Sequence, residues 1–109
     1  MGLFGLGRSK AAPREAAGEK INDNIREPKH FKVIMLNDDF TTMEFVVNVL
    51  ETIFNKDKAS AEALMLMVHN NGRAAVGTYP YDIALTKIGK AMTLAKEKGF
   101  PFRMTVEEA

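Results

Sequence analysis

The sequence predicts an α+β fold: one two-layer domain in which a three-stranded antiparallel sheet packs on three helices, in the order βααβαβ. Two observations lead there. Stretches with apolar residues at helical spacing are interleaved with short β-branched or alternating runs, and Asn, Asp, Gly and Pro punctuate the joins between them. A chain of 109 residues, 46% hydrophobic and 27% charged, has room for one modest core.

Each element has its own local cause. Phe31 to Leu36 is apolar and β-branched and ends at a polar stop, which predicts a largely buried strand. The polar run Asn37-Asp38-Asp39-Phe40-Thr41-Thr42 follows it, and Thr41-Thr42-Met43-Glu44 matches a capping box with Thr41 as cap and Glu44 reaching back. The next helix carries Phe45, Val46, Val49, Leu50, Ile53 and Phe54 on one face. Asn55-Lys56-Asp57 breaks that pattern. A second helix is expected from about Ser60 to Asn70, with Ala61, Leu64, Met65 and Val68 sharing a face, ended by Asn71-Gly72. Arg73 to Tyr79 reads as a short strand of small residues. Pro80 suits the first turn of a third helix, with Asp82 at its N-terminal dipole and Ile83, Ala84, Ile88, Ala91, Met92 and Ala95 turned inward. Gly99 stops that helix, and Phe102 to Val106 alternates as a last strand.

Residues 1–28 differ in character. Glycine, alanine and charged residues dominate there, and such a stretch does not bury enough surface to offset its chain entropy. The expected organisation is therefore a flexible N-terminal tail over 1–28 and a folded core over 29–109. Leu3, Phe4 and Leu6 form a short apolar cluster at the start of the tail.

Composition removes several classes of function. With no cysteine there is neither a disulfide framework nor a thiolate metal site. A formal net charge of +1 argues against binding nucleic acid by phosphate neutralisation. No apolar run approaches the roughly 20 residues of a membrane span, and the glycine-rich start fits neither a signal-peptide core nor, with Leu6 in place of Ser or Thr, a myristoylation site. A cytoplasmic protein is expected.

Candidate chemistry gathers around the polar run. Asn37, Asp38 and Asp39 are either turn and cap residues or a cluster of acceptors aimed at a cation. His69 shares a helical face with Met65 and Val68 and is placed to meet that run across the layer. One histidine with two adjacent aspartates is thin for zinc, so no metal and no cofactor is expected, and no nucleophile–base pair is evident. Seven methionines need an account. Met35, Met67 and Met92 are expected as core filler, whereas Met43 and Met65 lie near the acidic turn and His69. Polarizable thioethers suit a pocket that accepts several apolar side chains. Acidic acceptors beside such a pocket describe a receptor for an ammonium group on a large apolar residue, which is a protein's free amino terminus.

The stretch from Lys32 to Val46, with Asn37-Asp38-Asp39-Phe40-Thr41-Thr42-Met43 at its centre, together with Leu64-Met65-Leu66-Met67-Val68-His69 and Asn71-Gly72-Arg73-Ala74, resembles the ClpS family over roughly residues 29–109. These are adaptors that deliver N-degron substrates to bacterial Clp AAA+ proteases. The resemblance implies that Asn37, Asp38 and His69 bind the substrate α-amino group, with Asp39 and Thr41 supporting the peptide. It implies a pocket of Met43, Val46, Met65, Val68 and Phe102 for a first residue Leu, Phe, Tyr or Trp, with Met43 as gatekeeper against β-branched residues. Asp82 and Lys87 match positions that contact the N-terminal domain of a ClpA- or ClpC-type unfoldase, and the tail matches a segment used during handover. The protein alone is expected to be a monomer, not an enzyme. Two positions depart from the family pattern: Thr42 stands where proline is usual, and Phe102 where a smaller aliphatic residue is usual.

Two other readings stay open at this level. The same layer is suited to a plain interaction module that docks through its helices, and Asp38, Asp39 and His69 to a metal-assisted hydrolase. Binding of Leu- or Phe-initiated, acetylated and Ala-initiated peptides, with and without chelator, separates all three.

Overall fold

The central strand, β1 (His30–Leu36), explains why Phe31 to Leu36 is so apolar: Val33, Ile34 and Met35 are all buried, so both faces of the strand are covered. The protein is described by a computed structural model over residues 29–109, and the expectations for residues 1–28 lie outside the described residues. After β1 come α1 (Met43–Thr52), α2 (Lys58–Asn71), β2 (Arg73–Pro80), α3 (Tyr81–Glu97) and β3 (Arg103–Glu108). The sheet order is β2-β1-β3 with both pairings antiparallel, so the expected α+β fold and element order are present.

The core lies between one sheet face and the helices. Val33 and Met35 point into it from β1. Phe45, Val49 and Leu50 meet them from α1, Ala61 and Val68 from α2, and Ala84, Ile88, Ala91 and Ala95 from α3. Small alanines on α3 let its backbone lie close to the sheet. Three expected inward residues are on the surface instead: Ile83 is 45%, Met67 46% and Met92 38% exposed. At 100° per residue the buried arc of α3 is centred on Ala84, Ile88, Ala91 and Ala95, and Ile83 and Met92 fall on its two flanks.

Strand β2 carries a bulge that its small residues hide. Val33 pairs with Gly77 but Ile34 pairs with Ala75, leaving Val76 as an extra residue. The phase shift allows Ala74, Val76 and the Tyr79 ring to face the helices on one strand. Gly77 is required beneath that ring, since a Cβ there would stand 2.5 Å from the Tyr79 hydroxyl oxygen.

The opposite sheet face is held by charge. Pairing registers put Arg73 beside Leu36 and Glu107 beside Lys32, on edge strands either side of β1. Their ion pair therefore crosses over Ile34, which is 3% exposed although it points away from the helices.

Candidate functional site

The exit of β1 is built around one carboxylate. Asp38 Oδ1 accepts from the backbone amides of Phe40 (2.8 Å) and Thr41 (2.7 Å), and Oδ2 accepts from the Thr41 hydroxyl (2.7 Å). Partial burial pushes the Asp38 carboxyl up, but the Thr41 hydroxyl and the Thr41 and Phe40 amides outweigh it and hold the group below the usual carboxylate value. The expected capping box is corrected here. Thr42, not Thr41, caps α1, accepting from the Phe45 amide at 3.1 Å. Thr41 is drawn back to Asp38, so Glu44 falls one position short of the box and serves only as an acidic residue in the first turn.

A second tie brings His69 to this turn. Gly72 ends α2 in the left-handed conformation, with φ 88°, and its amide donates to the Val68 carbonyl. Its own carbonyl accepts from the Asn37 amide at 2.9 Å, so the end of α2 and the end of β1 are joined through backbone. His69 lies one turn before that junction.

Between the turn and the two helices lies a pocket of about 270 Å³ lined by Asn37, Asp38, Asp39, Thr41, Met43, Val46, Met65, Val68 and His69. Sequence-predicted residues from three separate segments thus meet in one place. Val46 and Val68 are buried, Met65 is half-buried, and Met43 is 48% exposed at the mouth. The two aspartates differ. Asp38 accepts two bonds from the turn on Oδ1 and one on Oδ2, while Asp39 is exposed and accepts no hydrogen bond among the described residues.

Phe102 is not part of that lining. It is 3% exposed and packs edge-on against Phe45, with ring centroids 5.5 Å apart, behind the first turn of α1. Phe100 meets the same ring at 5.1 Å. An aromatic residue at 102 therefore adds to the ring packing under the first turn of α1. Asp82 and Lys87 also stand elsewhere. Asp82 is exposed in the first turn of α3. Lys87 is half-buried, its ammonium donating to the Ile53 carbonyl at 2.8 Å and lying 5.3 Å from the Tyr79 ring centroid and 5.8 Å from that of Phe54.

Other depressions are larger, such as a groove of about 780 Å³ along α3 and Phe100 to Arg103, but its polar side chains are the cations Lys96 and Arg103 with Thr93. That groove has no acceptor cluster of the kind found at the β1 exit. Among the described residues, no group of three or more His, Asp or Glu side chains is placed to hold a metal ion, and no helix is long and apolar enough to cross a membrane.

Comparison with known proteins identifies the family. The family model "ATP-dependent Clp protease adaptor protein ClpS" matches residues 26–105. The chain belongs to the ClpS family. It is 54% identical over 84 residues to the ClpS adapter of Wolinella succinogenes, covering 77% of this chain and 82% of that one. To the ClpS adapter of Treponema denticola it is 50% identical over 91 residues, covering 84% and 90%. Among solved structures, Agrobacterium tumefaciens ClpS2 bound to L-phenylalaninamide is similar with a TM-score of 0.73 and 41% identity, covering 76% of this chain and all of that one. As a ClpS protein the chain is an adaptor of the Clp protease and not a catalyst.

Proposed function

We propose that the pocket at the β1 exit binds the free α-amino group and bulky first residue of N-degron substrates, and that the protein presents them to a Clp AAA+ unfoldase. One observation carries this reading: acceptors and apolar walls are combined in a single small cavity. Asn37, Asp38, Asp39 and His69 supply its polar lining and Met43, Val46, Met65 and Val68 its apolar lining. The ligand of the similar Agrobacterium protein has the matching chemistry, a free amine and a benzyl group on one carbon.

In this reading Asn37, Asp38 and His69 meet the ammonium, with Asp38 lining the pocket and fixed in place by the turn it gathers, and Asp39 supports the peptide. Thr41 supports the peptide indirectly by holding Asp38. Each charge-assisted bond to the ammonium is worth about 1.5 to 3 kcal/mol, and burying a Leu or Phe side chain adds roughly 1.5 to 3 kcal/mol. Neither alone gives a useful complex, and together they reach about micromolar affinity. An acetylated terminus loses the charge, and an internal Phe has no amine. That is how one small pocket distinguishes a chain end from the rest of a protein.

The unfoldase partner is proposed to be the N-terminal domain of a ClpA- or ClpC-type protein, docking over the start of α3 where Asp82 is exposed. Lys87 supports that face from beneath, since its charge is turned onto α1. The setting is proposed to be cytoplasmic.

Fluorescence anisotropy with Phe- or Leu-initiated peptides, their acetylated forms and an Ala-initiated control tests the pocket. Selective binding of the free bulky terminus is expected, unchanged by chelator. Equal binding of all the peptides, or of none, overturns the reading. Asp38→Asn is the cleaner variant, because it removes the charge offered to the ammonium, whereas Asp38→Ala also removes the bonds that shape the turn. Accelerated degradation of a Phe-initiated reporter by Clp unfoldase and protease tests delivery.

A further inference from the structure

Phe40 is the most exposed large apolar residue among the described ones, at 75%. It is not on a loose loop. Its amide is fixed to Asp38 Oδ1 at 2.8 Å, and the next residue is held to the same carboxylate twice. The turn therefore holds an aromatic side chain out in water, where it contributes nothing to the core. Its two neighbours in sequence, Asp39 and Thr41, both line the pocket, so the Phe40 backbone is part of the rim. On α2, Leu66 is 48% exposed and precedes His69 by three residues, a neighbour on the helix surface. One exposed apolar side chain thus adjoins the turn and another adjoins His69.

The chemistry of a chain terminus says what passes by them. In an amino-terminal residue the amine, the side chain and the carbonyl leaving for residue two all branch from one α-carbon. If the side chain points into the apolar cavity and the amine meets Asn37, Asp38 and His69, the following residues must leave across that polar rim.

Resting on the proposed terminus-binding role of the pocket, we infer that Phe40, with Leu66 beside His69, is a specificity-determining surface for the second and third residues of the bound chain. It favours apolar or aromatic side chains there over small polar ones. The pocket decides whether a terminus binds, and the rim ranks the termini that do. Partial burial of one aromatic contact supports a preference of about 3- to 10-fold.

The test uses the full chain and peptides that begin with Phe and carry Leu, Tyr or Ser at positions two and three, each also in acetylated form. Wild type should bind the Phe-Leu and Phe-Tyr peptides about 3- to 10-fold more tightly than the Phe-Ser peptide. Phe40→Ala should bring that ratio close to one, Phe40→Leu should keep part of it, and Leu66→Ser should reduce it. At 75% exposure, Phe40→Ala is not expected to unfold the protein, which a thermal melt verifies. No preference in wild type, or a preference that survives Phe40→Ala unchanged, overturns this inference and leaves the terminus pocket standing. Failure of every free-terminus peptide to bind overturns both.

Discussion

The two ends of α1 meet the same problem in opposite ways. At each, backbone groups outside the helical ladder need partners, and at each a charged side chain supplies them. At the N-terminal end, Asp38 gathers two amides and a hydroxyl into a turn, and the surrounding apolar residues, Phe40 and Met43, stay in contact with water. At the C-terminal end, Lys87 donates to the Ile53 carbonyl and lies over Phe54 and Tyr79, so that its charge closes a packed corner. The difference teaches where affinity is kept. Satisfying polar groups while leaving apolar ones exposed makes a surface ready to bind, and satisfying both makes a surface that is finished.

The sharpest way to break this contrast is Asp38→Ala. Three bonds to a partly exposed charged acceptor are lost, so a destabilisation of about 2 kcal/mol and a loss of at least about 10-fold in affinity for a Phe-initiated peptide are expected, read by chemical denaturation and anisotropy. Lys87→Ala leaves the Ile53 carbonyl without its donor and removes the cation from two rings. It should cost about 1 to 2 kcal/mol by the same denaturation, with peptide affinity unchanged to within about 2-fold. An affinity loss equal to that of Asp38→Ala would mean that the two ends are not separate in function.

Acid should act on the first end before it acts on the second. The Asp38 carboxyl is held below its unfolded value, so its contribution is complete above about pH 4, the unfolded aspartate range, and is lost as pH falls through the lowered folded value. Asp57, which caps α2 through the Ser60 amide, is lowered too and adds loss of the same sign. Denaturation midpoints from pH 6 down to 2 should fall in wild type and fall less steeply in Asp38→Asn, whereas parallel curves would remove Asp38 from the account. The smallest effect belongs to Thr42→Pro. Thr42 has φ −75°, which proline accepts, so a gain of about 0.4 to 1 kcal/mol from chain stiffness offsets a lost cap worth about 1 kcal/mol. A net change within about 0.5 kcal/mol is expected. Threonine here keeps by a hydrogen bond what proline keeps by its ring.

Much of the fold was legible because periodicity and punctuation agree. Phe45, Val49 and Leu50 fall on one helical arc, Gly72 and Gly99 stand at helix ends with positive φ, and the alternation of Phe102 to Val106 matches the observed burial. The site was legible in its residue types, since few arrangements use Asn-Asp-Asp, methionines and one histidine together. What escaped was geometry that local pattern does not encode. The run Ala74 to Gly77 gives no hint that Val76 is a bulge, because the bulge is a matter of pairing with β1 and not of local pattern. Asp38 and Asp39 are identical letters, and only the turn decides which one gathers its amides. Nothing in the run around Phe102 shows that its ring packs edge-on against Phe45.

The ion pair over Ile34 acts as a proofreader of strand alignment. Arg73 belongs to one edge strand and Glu107 to the other, and each reaches the outer face only if its own strand is in the observed pairing with β1. A slip of one residue in either strand would send one partner toward the helices and strand the other beside an uncovered isoleucine. One contact on the far side of the sheet thereby checks two pairings at once, including the step in which β1 and β2 bring Asn37 alongside Gly72.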